Sequence, residues 1–455
     1  MRFNCSSEGY GVVRYAPSLR LRLFALARGL AIPLLLFSPS GCRKPSSPVT
    51  LTFLDPEGFL DLGEQRRISD AALQEFTRET GIQVNHLPGP EDNGEDFLLA
   101  RDLLQKGAST PDVYGVDTIW SGALSEYLVD LKPFFASELP SMDPELISSY
   151  IVQGKLAAMP YHPNVGVLYY RADLLQKYGF NAPPRTWDEL ERMAVRIQNG
   201  ERAHGQKDFW GFVWPGNVSE SVSSDTTELQ AGEGGGTTID ADGKISINNP
   251  NAVRAWERAA HWVGWISSPD VLSYSDWDAS NAFWISGKAA FTRGWSDYFE
   301  RHPPGEPFRQ RAGVTSVPAG QGARVSLLGG YALAVSRSSA HIPEATRLIA
   351  FLTRREAQLR LANSGSAPPV QLQFRELPRM LVKMYPWAGK PGEQPGGTLV
   401  SRPSGVAGAK YDAVSRAYVQ AVRSVLTRHS TGQEAVAGLE KELVRITGFE
   451  TAHHK

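Results

Sequence analysis

Among side chains able to do more than pack, the aromatic ones stand out: the chain carries 11 tryptophans, and Phe, Trp and Tyr together make up 10% of its residues. Flat rings offer an apolar face with a specific geometry, and a surplus of them raises the question of whether some line a binding cleft. Residues of covalent catalysis form no comparable pattern. The sequence holds no Gly-x-Ser-x-Gly elbow, no His-Glu-x-x-His helix and no complete phosphate loop ahead of a Gly-Lys pair. Gly232 to Gly236 hint at a dinucleotide turn, but the final glycine and the preceding strand are missing. The nine histidines are scattered without ligand spacing, so no metal is expected. Carboxylates are plentiful, yet the separation of a pair decides whether it can act as acid and nucleophile, and sequence does not supply that separation. No catalytic residue and no cofactor is nominated.

The elements that must position a cleft can be read from pattern. At 455 residues, with 42% hydrophobic and 21% charged side chains, the chain has room for two to three ordinary domains and for a core without staples. Lys and Arg number 47 against 48 Asp and Glu, a balance that gives no global field for nucleic acid. The only cysteines are Cys5 and Cys42, so a disulfide scaffold is excluded, and the cysteine-free body suits an oxidising compartment. Arg14, Arg20, Arg22 and Arg28 precede the apolar run Gly29 to Phe37, and small residues then lead into Cys42. That order is a secretory signal over residues 1–41, too short in its apolar part to span a bilayer. The Ser40-Gly41-Cys42 end resembles a bacterial lipoprotein signal, with Pro39 where that pattern prefers an aliphatic residue, and so implies a lipid anchor on Cys42. Residues 42–48 read as a tether.

Beyond the tether, Val49 to Leu54 predicts a buried strand, and Ile68, Ala72 and Phe76 predict a helix stopped by Gly81. A strand from Ile82 completes a βαβ unit. A second helix ending at Gly107 and a strand from Pro111 to Val116 repeat it, ending in Asp117. This grammar predicts an α/β fold with a mainly parallel sheet, whose ligand crevice lies beyond the carboxyl ends of the strands. Thr186 with Glu189, and Thr431 with Glu434, have capping-box spacing ahead of amphipathic stripes. Residues 215–250, rich in Gly, Ser, Thr and Asn, predict a loop region with a small hairpin around Ala241-Asp242-Gly243. Trp187, Tyr169 and Tyr170 read as core, while Trp120, Trp214, Trp284 and Trp387 stay undecided.

Six segments, in order, resemble the extracellular solute-binding proteins (family 1) of ABC importers, in particular the carbohydrate group that includes trehalose and maltose binders. They are PDVYGVDTIW at 111–120, MPYHPNVGVLYYRADLLQKYG at 159–179, PPRTWDEL at 183–190, the stretch from Ser286 to Trp295, LLGGYALAVS at 327–336, and RPSGVAGAKYDAVSRAYVQAVRSVL at 402–426. The resemblance implies a periplasmic-binding-protein type II fold with two lobes, a hinge and an interlobe cleft. Lobe one would comprise 49–163 and 313–366, and lobe two 164–312 and 367–455. It further implies a periplasmic or extracytoplasmic, membrane-anchored and monomeric receptor that captures an oligosaccharide, such as the disaccharides trehalose or maltose, and hands it unaltered to ABC permease subunits.

A sugar offers hydroxyls at its edge and C–H patches on its faces, so its site needs polar forks and flat rings together. By the resemblance, Asp117 is an acidic sugar ligand; its alternative is an N-cap for the segment from Ile119. His162 and Asn164, in the PYHPN turn at a crossover, match positions that touch sugar, where relatives often carry an aromatic residue and an Asp. Trp295 matches a stacking tryptophan. Gly329 and Gly330 let backbone approach closely because neither has a Cβ, and Tyr331 stands where relatives often have Trp. Arg402 matches an arginine that forks onto hydroxyls, a geometry its planar group suits, the alternative being a surface salt bridge. Glu57 is a weaker candidate by the same alignment. Two rival functions remain: a secreted carbohydrate-active hydrolase, which would release products, and a sugar-binding module that feeds a sensor.

Overall fold

The β-branched and aromatic run expected as the first strand forms β1 (Thr50–Asp55), and the helix Glu64–Thr80 follows, ending at Gly81 with φ of +74°. Strand β2 (Gln83–Pro88) then lies parallel to β1. The helix Asn93–Gln105 and β3 (Val113–Asp117) close the second βαβ unit, with β3 parallel to β1 on its other side. The computed structural model describes residues 48–55, 64–90, 93–296, 307–364 and 398–452. The signal segment, Cys42, Glu57 and Trp387 lie outside the described residues.

A short hairpin of β4 (Ile151–Val152) and β5 (Lys155–Leu156) precedes β6 (Met159–Arg171). The later strands are β7 (Trp210–Val213), β8 (Ala289–Trp295), β9 (Ala312–Ser316), β10 (Val325–Val335) and β11 (Thr398–Val400). The main sheet runs β2-β1-β3-β10-β6-β8-β7, with β11 beside β10 and β9 beside β6. Its parallel pairs are β2 with β1, β1 with β3, β7 with β8, and β11 with β10. The expectation of a mainly parallel sheet is corrected at the centre, where β10 runs antiparallel to both β3 and β6, and β6 antiparallel to β8 and β9.

β6 is also where a turn was expected. Residues 159–171 form one extended strand whose first half, up to Val165, pairs with β10, and whose second half, from Gly166, pairs with β8 and then β9. Pro160 and Pro163 lack the N–H that a regular ladder would use, but their fixed φ suits extended backbone, and the register with β10 shifts by a bulge between Tyr331 and Ala332. A proline-containing strand thus survives by changing partners and carrying a bulge.

The second correction falls on residues 215–250. The small hairpin is present, with Asp240 N–H donating to the Lys244 carbonyl, but Glu220–Gly232 is a helix instead of loop. Its composition hid it: Ser221, Ser223, Ser224, Thr226, Thr227, Glu228 and Gln230 are all buried, whereas an ordinary helix buries one apolar stripe. Thr226 Oγ1 donates to the carbonyl four residues back, as buried helical threonines do.

Both predicted capping boxes cap a helix. Thr431 Oγ1 accepts from Glu434 N while the Glu434 carboxylate accepts from Thr431 N. At Thr186 the side chain accepts from Glu189 N at 3.2 Å, but Glu189 reaches one residue further back, to Arg185 N at 2.7 Å. Trp187 and Tyr169 are core as expected, and Trp120, Trp214 and Trp284 join them. Trp187, Phe212, Trp214 and Trp262 form one aromatic cluster, with Trp262 perpendicular to Phe212 at 5.4 Å between centroids. Much of the tryptophan surplus is therefore core packing.

Candidate functional site

Strand register brings most of the nominated residues together. On β10, Tyr331 lies opposite Asp117 of β3 on one side and His162 of β6 on the other, so these three form a row across the sheet. Gly330 faces Pro163 and Gly329 faces Asn164. Trp295, the last residue of β8, pairs with Gly166. His162, Asn164 and Tyr331 are buried, and Asp117 and Trp295 are half-buried. Burying His and Asn at the heart of a sheet is costly for a chain seeking stability alone, and sites are where such cost is accepted.

The two glycines are required by neighbours within the protein. Gly330 has φ of +98°, and a Cβ there would collide with the His162 carbonyl and lie 2.7 Å from Asn164 N. A Cβ on Gly329 would lie 2.7 Å from both Asn164 Oδ1 and the outer edge of the Trp295 ring. The bare backbone therefore lets the indole lie directly against β10. Tyr169 Oη donates to the Trp295 carbonyl at 2.6 Å, and Val165 N donates to Ser296 Oγ, fixing the end of β8 against β6.

Asp117 fills the capping role that was its alternative reading. Its Oδ1 accepts from Ile119 N at 3.0 Å, capping the short 3₁₀ helix Thr118–Trp120, and its carboxylate stands at the carboxyl end of β3. Thr118 Oγ1 donates to the Gly330 carbonyl at 2.9 Å, and Ser404 Oγ donates to the Thr118 carbonyl at 3.1 Å. These bonds tie the segment carrying Arg402 to the β3–β10 pair. Arg402 is no surface salt bridge. It is buried, and its Nη1 donates to Glu220 Oε2 at 3.0 Å. Burial works against its charge, but the facing Tyr411, Glu220 and Asp117 outweigh burial and hold its pKa above the ordinary arginine value. Glu220 is gripped in turn by Tyr411 Oη at 3.1 Å and by Ser415 Oγ.

Several residues that sequence reasoning passed over stand around this group. Glu220 opens the polar helix and fixes Arg402. Asp225 and Glu228 sit on the same helix and meet Arg293 of β8, each at 3.1 Å from its Nε. Trp277 lies beside Trp295, with centroids 5.2 Å apart. Arg293 lies within the stretch from Ser286 to Trp295, and the signal for it is a buried-strand pattern interrupted by a guanidinium two residues before Trp295. Glu57 and Cys42 lie outside the described residues, and no grouping of side chains suited to a metal ion occurs among the described residues.

An α/β sheet with long central strands shared between two halves, and polar residues gathered at their crossing, defines the class: a type II periplasmic-binding-protein fold of two lobes. The chain belongs to the bacterial extracellular solute-binding protein family, whose model matches residues 62–359. It is 35% identical over 432 residues to the Probable ABC transporter-binding protein of Deinococcus radiodurans, covering 94% of this chain and 99% of that one. The maltose-bound MalE3 of T. maritima superposes with a TM-score of 0.74 at 28% identity, over 88% of this chain and all of that one. The maltodextrin-binding protein MdxE of Bacillus subtilis is 26% identical over 243 residues, half of each chain.

Proposed function

We propose that this chain is an extracytoplasmic sugar-binding receptor that captures an oligosaccharide, a disaccharide such as trehalose or maltose, in the cleft between its lobes and delivers it unaltered to an ABC permease. The observation that carries this reading is the meeting of Trp295, laid against Gly329, with the row Asp117–Tyr331–His162. Here a half-buried ring lies against Gly329, two residues along β10 from Tyr331 and its row of carboxylate, phenol and imidazole. The ring takes a C–H face of the sugar, where burial is worth about 25 cal/mol per Å². The polar groups take hydroxyls, and one left unpaired by the wrong epimer costs about 1 to 3 kcal/mol. Maltose in the T. maritima neighbour and maltodextrin in the name of the B. subtilis relative support the ligand class.

The partner switch of β6 between Val165 and Gly166 falls beside the 163/164 boundary of the lobe division proposed above, 49–163 with 313–366 against 164–312 with 367–455, whereas β9 pairs with the second half of β6 and goes with lobe two. Export with a lipid anchor at Cys42 and a monomeric state complete the proposal. No helix among the described residues is long and apolar enough to cross a membrane. Calorimetric titration with trehalose, maltose, sucrose and longer glucans tests the ligand class: one of these sugars binds with a stoichiometry of one, and absence of heat and of competition throughout the panel rejects it.

A further inference from the structure

Beneath Trp295 lies a guanidinium that the proposed function leaves unused. Arg293 precedes Trp295 by two residues on β8, and residues so spaced share one face of a strand. Its Cζ lies 4.2 Å from the centroid of the Trp295 ring and 5.5 Å from that of Trp277. The two indoles are 5.2 Å apart with planes at 67°, so they form an open corner. Both rings are half-buried, whereas Arg293 is 2% exposed.

A charge at that depth needs partners. Nε of Arg293 lies 3.1 Å from Asp225 Oδ1 and 3.1 Å from Glu228 Oε2. Asp225 Oδ1 also accepts from Trp277 Nε1 at 3.3 Å, and Glu228 Oε1 accepts from Leu327 N of β10 at 2.7 Å. A Cβ on Gly166, where β6 changes partners, would collide with Glu228 Oε1. One ionic cluster thus touches both rings and both long central strands. Buried ion clusters are poor sources of stability compared with apolar packing of the same volume. In this one the geometry fixed is the angle between two half-buried rings.

We propose that Arg293 is a positioning residue that sets the angle of Trp277 to Trp295, and that Trp277 is a second ring of the saccharide site, taking a C–H face of the sugar beside the one on Trp295. The flat guanidinium lies against Trp295, Asp225 pins the Trp277 N–H, and Glu228 anchors the assembly to β10. The ring-contact half of this inference rests on the sugar-binding reading; the positioning half does not.

Wild type, Trp277→Ala, Trp295→Ala and Arg293→Lys are titrated calorimetrically with maltose and with trehalose, and near-UV circular dichroism of each ligand-free protein reports the indole pair. Lysine keeps the charge but not the flat face. Arg293→Lys is expected to keep the far-UV spectrum, to lose the part of the near-UV indole band that Trp277→Ala also removes, and to bind about tenfold more weakly, while Trp277→Ala also loses about tenfold. Unchanged affinity in Trp277→Ala, where Trp295→Ala weakens binding, removes Trp277 from the site. Arg293→Lys with the wild-type near-UV band and affinity overturns the positioning role and leaves Arg293 a mere counter-charge. If wild type takes up neither sugar, the saccharide reading is what fails: loss of the near-UV band in Arg293→Lys still supports positioning, and its retention overturns that too.

Discussion

At the residue scale, Asp117 separates two duties that a single substitution can pull apart. Its Oδ1 caps the helix from Thr118, and Asn caps as well as Asp. Asp117→Asn should therefore melt within a degree or two of wild type, while losing a charge-assisted bond to sugar worth about 1.5 to 3 kcal/mol, roughly tenfold or more in affinity. Melting curves and calorimetry on the same sample distinguish the two. Trp295→Ala removes a ring face; if sugar covers about 80 Å² of it, the loss is about 2 kcal/mol, near thirtyfold. Gly330→Ala probes the backbone. With φ of +98° and the His162 carbonyl in the way, it should lower stability by more than about 2 kcal/mol, seen as a fall in the urea midpoint. The places of Asp117 at the end of β3 and Trp295 at the end of β8 were legible because segment order carried them. Glu220, Asp225 and Glu228 were not legible, since acidic residues in a Ser/Thr-rich stretch look solvated until the fold buries them.

At the scale of elements, the helix Glu220–Gly232 presents carboxylates to two cations, Glu220 to Arg402 and Asp225 with Glu228 to Arg293. Two buried carboxylates share the single guanidinium of Arg293, so burial outweighs the cation's pull and Glu228 is also raised above the usual range. Asp225 is pushed up to about 7, first by burial, with Arg293 opposing and Glu228 adding to the rise. A carboxyl raised on folding binds its proton more tightly in the native state. Its contribution is full below the ordinary carboxylate range and is lost as pH rises through about 7. The urea midpoint should thus fall between about pH 4 and 7 in wild type and level off above, and Asp225→Asn should flatten that slope; an unchanged slope would remove the cluster as its cause. The groups held below their usual range, such as Asp173 and Glu201, add stability only up to about pH 5 and do not mask the fall above it. Local signals read elements well where one signal dominated: the Thr186 and Thr431 caps, Gly81 and the βαβ rhythm all held. They failed where long-range pairing decides. No local pattern tells that 159–171 would be one strand, because its continuity comes from exchanging β10 for β8 and β9 at Gly166.

For the whole molecule, the central strands carry the argument. β6 and β10 pair at the middle of the sheet, and His162, Asn164 and Tyr331 on them meet Asp117 of β3 and Trp295 of β8 there. A ligand touching both halves stabilises the closed form by the difference of its affinities for open and closed states. Small-angle scattering should accordingly show a smaller radius of gyration on adding a bound sugar, and no change with Trp295→Ala at the same sugar concentration.

The most direct test of an intact saccharide held at this crossing is equilibrium dialysis against maltose, followed by denaturation and mass spectrometry of what the protein retained. The expected result is one unaltered disaccharide per chain, largely absent from Trp295→Ala. Free glucose, or no sugar retained at millimolar maltose and trehalose alike, would contradict it.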